Sequence, residues 1–218
     1  MSNLSVTNDL DALLRTMTSP AEQALADRTR YSFARSLITE RVNVSPKRLV
    51  APGPNEEQLH EMLTMAVAAP DHGQITPWRF VLVPAEKRGL LAEAFALALI
   101  DRDPGATLKQ IEMAREKAYR APTLMLAIAK VGEHDSQIPV EERLIALGAA
   151  IQNILLTATA MGFGSGLTSG QAMTSPRIRV LFGLEAGEMA ACFANIGSTS
   201  HAKVARLRPP VESILSHL

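Results

Sequence analysis

The sequence predicts an α+β fold in which a small central β-sheet is wrapped by helices. Three observations support this prediction. Several segments carry apolar residues at helical spacing, three short apolar runs have the length and composition of strands, and helical segments separate those runs. With three or four strands against about six helices, the chain has too few strands for a doubly wound nucleotide-binding fold.

The N-terminal segment is predicted to be a helical extension over residues 1–37, followed by the main domain over residues 38–218. Ser19 has the place of an N-cap, a proline follows it, and Glu22 stands three residues later. This is the pattern of a capped helix start. The helix is expected to run to about Glu40.

A polar stretch with three prolines, residues 41–55, is expected to link this extension to an amphipathic helix. Asn55 is the predicted cap of that helix, and Pro70 ends it. Its apolar positions recur at i, i+3, i+4, i+7 and i+8: Leu59, Met62, Leu63, Ala66 and Val67. The loop 71–77 then leads into a predicted strand over residues 78–83.

The rest of the chain alternates between predicted helices and strands. The helices cover residues 85–100, 107–119, 140–161 and 176–183, and the strands cover 122–129 and 189–196. Strand 122–129 is apolar on both faces and helix 140–161 is apolar nearly all round, so both are expected to be buried. The glycine-rich stretch Gly162–Gly166 is expected to break the long helix as a turn.

Composition limits the function classes. The 218 residues have a formal net charge of +0 and a pI near 7.0, which disfavours binding to a nucleic acid. A single cysteine, Cys192, excludes an intramolecular disulfide framework and any multi-cysteine metal site. No secretory signal and no uninterrupted apolar stretch of about 20 residues is visible. We expect a cytoplasmic protein without membrane or metal.

The chain lacks the usual catalytic side-chain motifs. It has no Gly-x-Gly-x-x-Gly after a strand, no phosphate-binding Gly-Lys-Ser/Thr, no His-Glu-x-x-His and no Gly-x-Ser-x-Gly. We therefore predict no catalytic side chain. If the protein is an enzyme, a cofactor is expected to carry the reaction.

The most informative stretch is the loop before the first predicted core strand. Asp71, His72, Gln74 and Thr76 lie within six residues of one another. Their amide, imidazole and hydroxyl groups can hydrogen-bond the edge of a planar heteroaromatic ring. The residues alone leave open that this is an ordinary helix-to-strand loop before a buried tryptophan.

The same loop carries a family resemblance. Ala-Pro-Asp-His at 69–72 and Pro-Trp-Arg-Phe at 77–80 resemble the flavin-dependent nitroreductase family, and in particular its compact subfamily of short chains named as NAD(P)H nitroreductases. The resemblance extends from about Ile38 to the C-terminus. It implies a nitroreductase-like fold, bound FMN, and a homodimer with the flavin at the subunit interface. It also implies ping-pong transfer of hydride from NAD(P)H to a small acceptor such as a nitroaromatic or quinone.

The resemblance also assigns cofactor-binding positions, in four segments. They are Arg41, Val42, Asn43 and Arg48; His72 and Gln74; Leu167, Thr168 and Ser169; and Arg206 and Arg208. Two extra residues between Asn43 and Arg48 leave the register there open, with Ser45 as the alternative to Asn43. From the residues alone, both basic segments can also be solvated surface.

One segment departs from the family pattern. Where the compact subfamily has Trp-Arg followed by Ser or Thr, this chain has Leu167 and Thr168 before Ser169. An aromatic wall and a charge are therefore missing. This departure motivates an alternative hypothesis, a flavin-binding protein without turnover or a flavin-modifying relative of the same fold.

Overall fold

The computed structural model describes residues 19–132, 137–200 and 207–218, and it divides the chain into two compact units after Glu40. The described part of the first unit is helix α1, Pro20–Glu40. The Ser19 amide donates to Glu22 Oε2 over 2.8 Å, and the Glu22 amide donates to Ser19 Oγ over 3.3 Å. This is the predicted cap. No residue of α1 is buried.

The second unit, Arg41–Leu218, contains five further α-helices in its described part. They are α2 (Glu56–Val67), α3 (Arg88–Arg102), α4 (Leu108–Arg115), α5 (Val140–Ala160) and α6 (Pro176–Leu181). Asn55 caps α2 as predicted, because its Oδ1 accepts the Gln58 amide over 2.8 Å and its own amide donates to Gln58 Oε1 over 3.0 Å.

Five strands form one antiparallel sheet in the described residues. They are β1 (Leu49–Val50), β2 (Trp78–Leu82), β3 (Thr123–Lys130), β4 (Gly164–Thr168) and β5 (Glu188–Thr199). The order is β1-β5-β3-β2, and β4 pairs with β5 on the side away from β3. The predicted α+β fold with a small sheet wrapped by helices is confirmed.

Two sequence predictions are corrected by the strands. Residues Gly162–Gly166 were expected to form only a turn, but β4 begins at Gly164. The stretch 41–55 was expected to be a plain linker, but it contains a 3-10 turn at Pro46–Arg48 and the strand β1. In both places pairing with β5, which is distant in sequence, overrides a local composition that favours turns.

The sheet has helices on both faces. Helices α2 and α5 cover the face that carries Met125, Ala127 and Ala129 of β3, and α3, α4 and α6 cover the face that carries Leu124 and its alternate neighbours.

Helix α5 is long and apolar enough to cross a membrane by length and composition alone. Eight of its residues are buried, and it packs as the core helix of the first face.

Candidate functional site

A cleft of about 490 Å³ opens on the face of the sheet covered by α3 and α4. It lies between α4 and the turn that follows β4. Its size falls within the range of small-molecule and cofactor sites. Four apolar side chains form its floor: Phe95, Leu99, Leu124 and Phe193.

The floor is rigid because of how its aromatic rings are held. Leu124 and Phe193 reach this face because neighbouring residues of a strand point to opposite faces. The Phe193 ring meets Phe95 edge-on at 5.7 Å and Phe182 at 5.8 Å. Such edge-to-face pairs stabilise a fixed orientation. A planar aromatic ligand would therefore meet a preformed apolar surface.

The polar rim on the β4 side is fixed by Asn195. This residue is 2 % exposed, and its Nδ2 donates to Thr168 Oγ1 over 3.0 Å and to the Gly166 carbonyl over 3.1 Å. Beyond Thr168 the chain turns at Gly170, whose φ of +147° suits glycine. Ser169 and the following turn complete this wall.

The opposite wall carries three cations. Arg102 at the end of α3, Lys117 and Arg120 all line the cleft, and none of its described lining residues is acidic. Burial, followed by repulsion from Arg120 and Arg102, lowers the pKa of Lys117 below its usual 10.5. The three positive groups are therefore near enough to interact. The cleft has a positive field that favours negatively charged ligands.

A fourth cation, Arg88, anchors this wall from inside the fold. It is 6 % exposed and donates to three backbone carbonyls: Val83 over 2.9 Å, Ala118 over 2.7 Å and Pro122 over 3.0 Å. Burial lowers its pKa, but a guanidinium stays charged at neutral pH. Because Arg120 lies between two of these carbonyls, Arg88 fixes the segment that presents it.

The cleft contains some of the residues predicted from the sequence. Thr168 and Ser169 line it, and so does Pro46, which lies within the predicted basic segment. Leu167 does not, because it pairs opposite Ala194 and points to the other face from Thr168. The replacement of the family tryptophan by Leu167 therefore does not remove a wall of this cleft.

The other residues of the basic segment lie beside β4, outside the cleft lining. Asn43 Oδ1 accepts the Leu167 amide over 3.2 Å, and the Val44 amide donates to the Ser165 carbonyl over 2.8 Å. Val42 packs against a small apolar cluster. Four arginines were also predicted to bind the cofactor. Arg41 is half-buried, Arg48 and Arg208 are exposed, and Arg206 lies outside the described residues.

The His72 loop is at the other end of the sheet. The Lys130 amide donates to the Pro77 carbonyl over 2.9 Å, so the loop lies where β3 ends, beside β2. Thr168 pairs with Phe193 of β5, which pairs with Leu126 in the middle of β3. The offset along the strands is roughly 13 Å, and the three strand spacings from β4 to β2 add roughly 14 Å across the sheet. Within one chain, His72 and Gln74 are therefore far from Thr168 and Ser169.

The loop itself has an unusual backbone. Gly73, Gln74 and Thr76 have φ values of +70°, +53° and +44°. For non-glycine residues this conformation is strained, and strain of this kind concentrates at functional sites. Asp71 Oδ2 holds the loop by accepting the Thr76 amide over 2.7 Å, and His72 Nδ1 lies 2.8 Å from Glu142 Oε2.

Sequence reasoning missed most of the polar groups of the cleft. Gln110, Met113, Ala114 and Lys117 recur at i, i+3, i+4 and i+7, which is the signal that could have identified one helix face. Asn195 is a polar residue in an otherwise apolar strand, which is also informative. Among the residues that the structure describes, no group of three or more potential metal ligands is present.

Comparison with known proteins agrees with this architecture. The profile of the Nitroreductase family matches residues 45–198. A protein of Haemophilus influenzae named "Putative NAD(P)H nitroreductase" is 30% identical over 165 residues, which cover 76% of this chain and 88% of that protein.

Two solved structures show the same fold. A nitroreductase-like family protein from Bacillus cereus has a TM-score of 0.74 at 23% identity, over 84% of this chain and 95% of that chain. A mutant of the FMN and NADPH-dependent nitroreductase NfnB, from a Sphigopyxis strain, has a TM-score of 0.67 at 15% identity, over 84% and 98%. Together with the family match, these findings place the chain: it belongs to the nitroreductase family and is an oxidoreductase of the nitroreductase type.

Proposed function

We propose that the protein is an FMN-dependent oxidoreductase that takes hydride from NAD(P)H and passes it to an electron-poor acceptor, such as a nitroaromatic or quinone, in a ping-pong sequence. The observation that carries the proposal is the cleft of about 490 Å³, with its aromatic floor and cationic wall. It includes Thr168 and Ser169, where the family resemblance expects flavin contacts.

The residues of the cleft fit a flavin. A planar ring system needs an apolar surface and a few polar groups at its edge, and the cleft supplies Phe193 and Leu124 below and Thr168, Ser169 and Lys117 around. We expect the phosphate to be held by Arg41, Arg48, Arg206 and Arg208. FMN, when bound, supplies the hydride-accepting and hydride-donating chemistry.

The chain's own contribution is to bind, orient and polarise. Lys117 holds a positive charge at the wall of the cleft, where it would stabilise negative charge on a bound flavin. Asn195 fixes Thr168, and Arg88 fixes the segment that carries Arg120. No described lining residue is an acid, so the cleft offers no carboxylate for general acid–base catalysis.

In a homodimer, the His72 loop of one chain would reach the cleft of the other chain. Because β5 and β3 lie between β4 and the strand that follows the loop, we expect His72 and Gln74 to contact a flavin beside Thr168 only from a second copy. The outer faces of α2 and α5 expose Val67, Leu144 and Ile145, which suit such an interface. We place the dimer in the cytoplasm, where NAD(P)H is available.

The test of this function is the colour of the purified protein and its response to reductant. We expect about one FMN per chain, identified by chromatography after heat denaturation, and loss of the yellow absorbance on anaerobic addition of NADPH. FAD in place of FMN, or no flavin after incubation with excess FMN, would contradict the proposal.

The same experiment separates turnover from passive binding. A flavin-binding protein without turnover would stay yellow with NADPH, and a flavin-modifying relative would yield a changed flavin on chromatography. Leu167 lies outside the cleft lining, so the lost tryptophan leaves the cleft walls unchanged, whereas Thr168 lines the cleft without the charge of the family arginine. The response to NADPH therefore decides between the two hypotheses.

A further inference from the structure

We infer that Arg102 and Arg120 form an anion-binding subsite that selects substrates carrying a carboxylate or phosphate group. Both residues line the cleft, and their charges lower the pKa of Lys117 beside them. The inference rests on the proposed function, because it assigns a substrate class to the same cleft. One cation, Lys117, is enough to balance the charge of a reduced flavin ring, so the two arginines are available for another anion.

The arginines of the cleft differ from others in the same unit. Arg79, Arg115 and Arg177 each pair with a carboxylate, namely those of Glu188, Glu93 and Asp101, at distances of 2.7–2.8 Å. Among the residues that the structure describes, Arg102 and Arg120 form no such ion pair. Their charge is therefore not neutralised by the fold.

None of the acids nearest in sequence lines the cleft or pairs with these arginines in the described residues. Asp103 Oδ1 accepts the Gly105 amide over 3.1 Å, and Glu116 lies outside the lining. Asp101 precedes Arg102, but both of its oxygens accept from Arg177, over 2.8 and 3.1 Å. Glu112 lies on α4, one turn before Lys117, but it accepts from Arg115 over 2.6 Å. Neither lines the cleft. The fold thus keeps carboxylates away from a site where cations converge.

This arrangement is costly without a ligand and favourable with one. Like charges placed close together in a partly buried cleft repel each other, and an anionic group relieves that repulsion. Guanidinium groups also bind carboxylate and phosphate oxygens in a bidentate manner. Arg120 is held in place through the carbonyls that Arg88 anchors on either side of it, so part of the subsite is preformed.

The test compares two acceptors of the same shape and different charge, 4-nitrobenzoate and 4-nitrobenzamide, with the flavin-loaded enzyme. The readout is the ratio of their kcat/KM values. We expect the native enzyme to favour the benzoate, and Arg102→Gln or Arg120→Gln to lower the ratio about tenfold, as for loss of a charge-assisted hydrogen bond. Lys109→Gln, an exposed charge of α4 outside the cleft, is the matched control and should leave the ratio unchanged.

A second arm identifies the source of the anion. If the subsite binds a phosphate of the reductant, the variants will change the preference between NADPH and NADH in the anaerobic reduction of the flavin, with the acceptor ratio constant. Either change supports the subsite. Constant ratios in both arms, or variants that lose their FMN, would overturn it, because the arginines would then be idle or would hold the cofactor.

A binding measurement keeps this test separate from the proposed function. Calorimetric titration with benzoate and with benzamide needs no turnover, and we expect benzoate to bind more tightly to the native protein but not to the double variant. A native protein without flavin that still prefers benzoate would contradict the proposed function alone. Equal binding of both probes by the native protein, together with an unchanged preference between NADPH and NADH in the variants, would contradict the subsite alone.

Discussion

Lys117 lines the cleft and has a lowered pKa. Burial and two neighbouring arginines lower its pKa below 10.5, so it loses its charge at a lower pH than an ordinary lysine. We predict that flavin reduction by NADPH slows as the pH rises toward 10, and that Lys117→Arg removes this alkaline decline because arginine stays protonated. Anaerobic stopped-flow reduction across that range is the measurement.

The control for this experiment is Lys117→Met, which lacks the charge at every pH. We expect slower reduction than in the native enzyme at pH 7, with no decline specific to alkaline pH. If the native enzyme and Lys117→Arg showed the same profile, the titrating group would be another one.

Glu188 is the one carboxylate in the strands of the described sheet, and it is paired with Arg79. Arg79 Nε and Nη2 donate to its two oxygens, each over 2.7 Å, and this pairing holds the pKa of Glu188 below its usual 4.5. The folded state therefore favours the ionised form more than the unfolded chain does. The resulting stability is present above pH 4.5 and disappears as the pH falls through the lowered pKa.

We predict that Glu188→Gln lowers the free energy of unfolding by about 2–3 kcal/mol at pH 7, because it leaves a partly buried guanidinium without its partner. Urea unfolding at pH 7 and at pH 3.5 measures the effect. The difference from the native protein should shrink at the lower pH, and a constant difference would show that packing is responsible instead of charge.

At the scale of elements, β4 depends on one glycine. A Cβ on Gly166 would overlap the Val44 carbonyl oxygen and lie 3.0 Å from Asn43 Oδ1. Only glycine lets the strand approach the segment beside it. We predict that Gly166→Ala destabilises the protein by about 1–3 kcal/mol. Flavin content should fall too, because β4 carries Thr168 to the cleft.

The matched control is Gly89→Ala in α3, where the nearest atom to a new Cβ is 3.8 Å away. That substitution should be neutral or slightly stabilising, because alanine favours helix more than glycine does. Thermal unfolding and the ratio of flavin to protein absorbance report both variants. Equal effects at the two positions would show that close approach is not what Gly166 provides.

Elements with strong local signals could be predicted from the sequence. The capped starts at Ser19 and Asn55, the apolar helix α5 and the strands β2, β3 and β5 are close to their predicted places. Strands β1 and β4 could not be predicted. The two residues of β1 are too few to show a strand pattern, and the glycines of β4 favour a turn. Their conformation comes from pairing with β5.

The residues of the candidate site also differ in whether a local sequence signal marks them. Thr168 and Ser169 were found through a motif, since they lie in one short segment. Arg102 ends α3, whereas Lys117 and Arg120 lie in the segment after α4, and the fold brings the two segments together at one cleft. Sequence spacing gives no distance between these two segments.

For the whole molecule, we predict that assembly and flavin binding are lost together. Ile145 is 71% exposed on α5, and a glutamate there would place a charge in the proposed interface. We expect Ile145→Glu to be monomeric by light scattering and to retain little FMN. Val180→Glu, at a residue of α6 that is 82% exposed, should remain dimeric. A native protein that is monomeric with full flavin occupancy would refute the interface.

The separation of the His72 loop from Thr168 across the sheet would have a genetic consequence in the proposed dimer. In a two-fold dimer a damaged loop impairs one catalytic centre, and a damaged cleft on the same chain impairs the other. Co-expression of His72→Ala and Lys117→Met chains should therefore give mixed dimers in which one centre is unaltered and the other carries both lesions. With random pairing, about a quarter of all centres are restored, so two impaired alleles should complement each other.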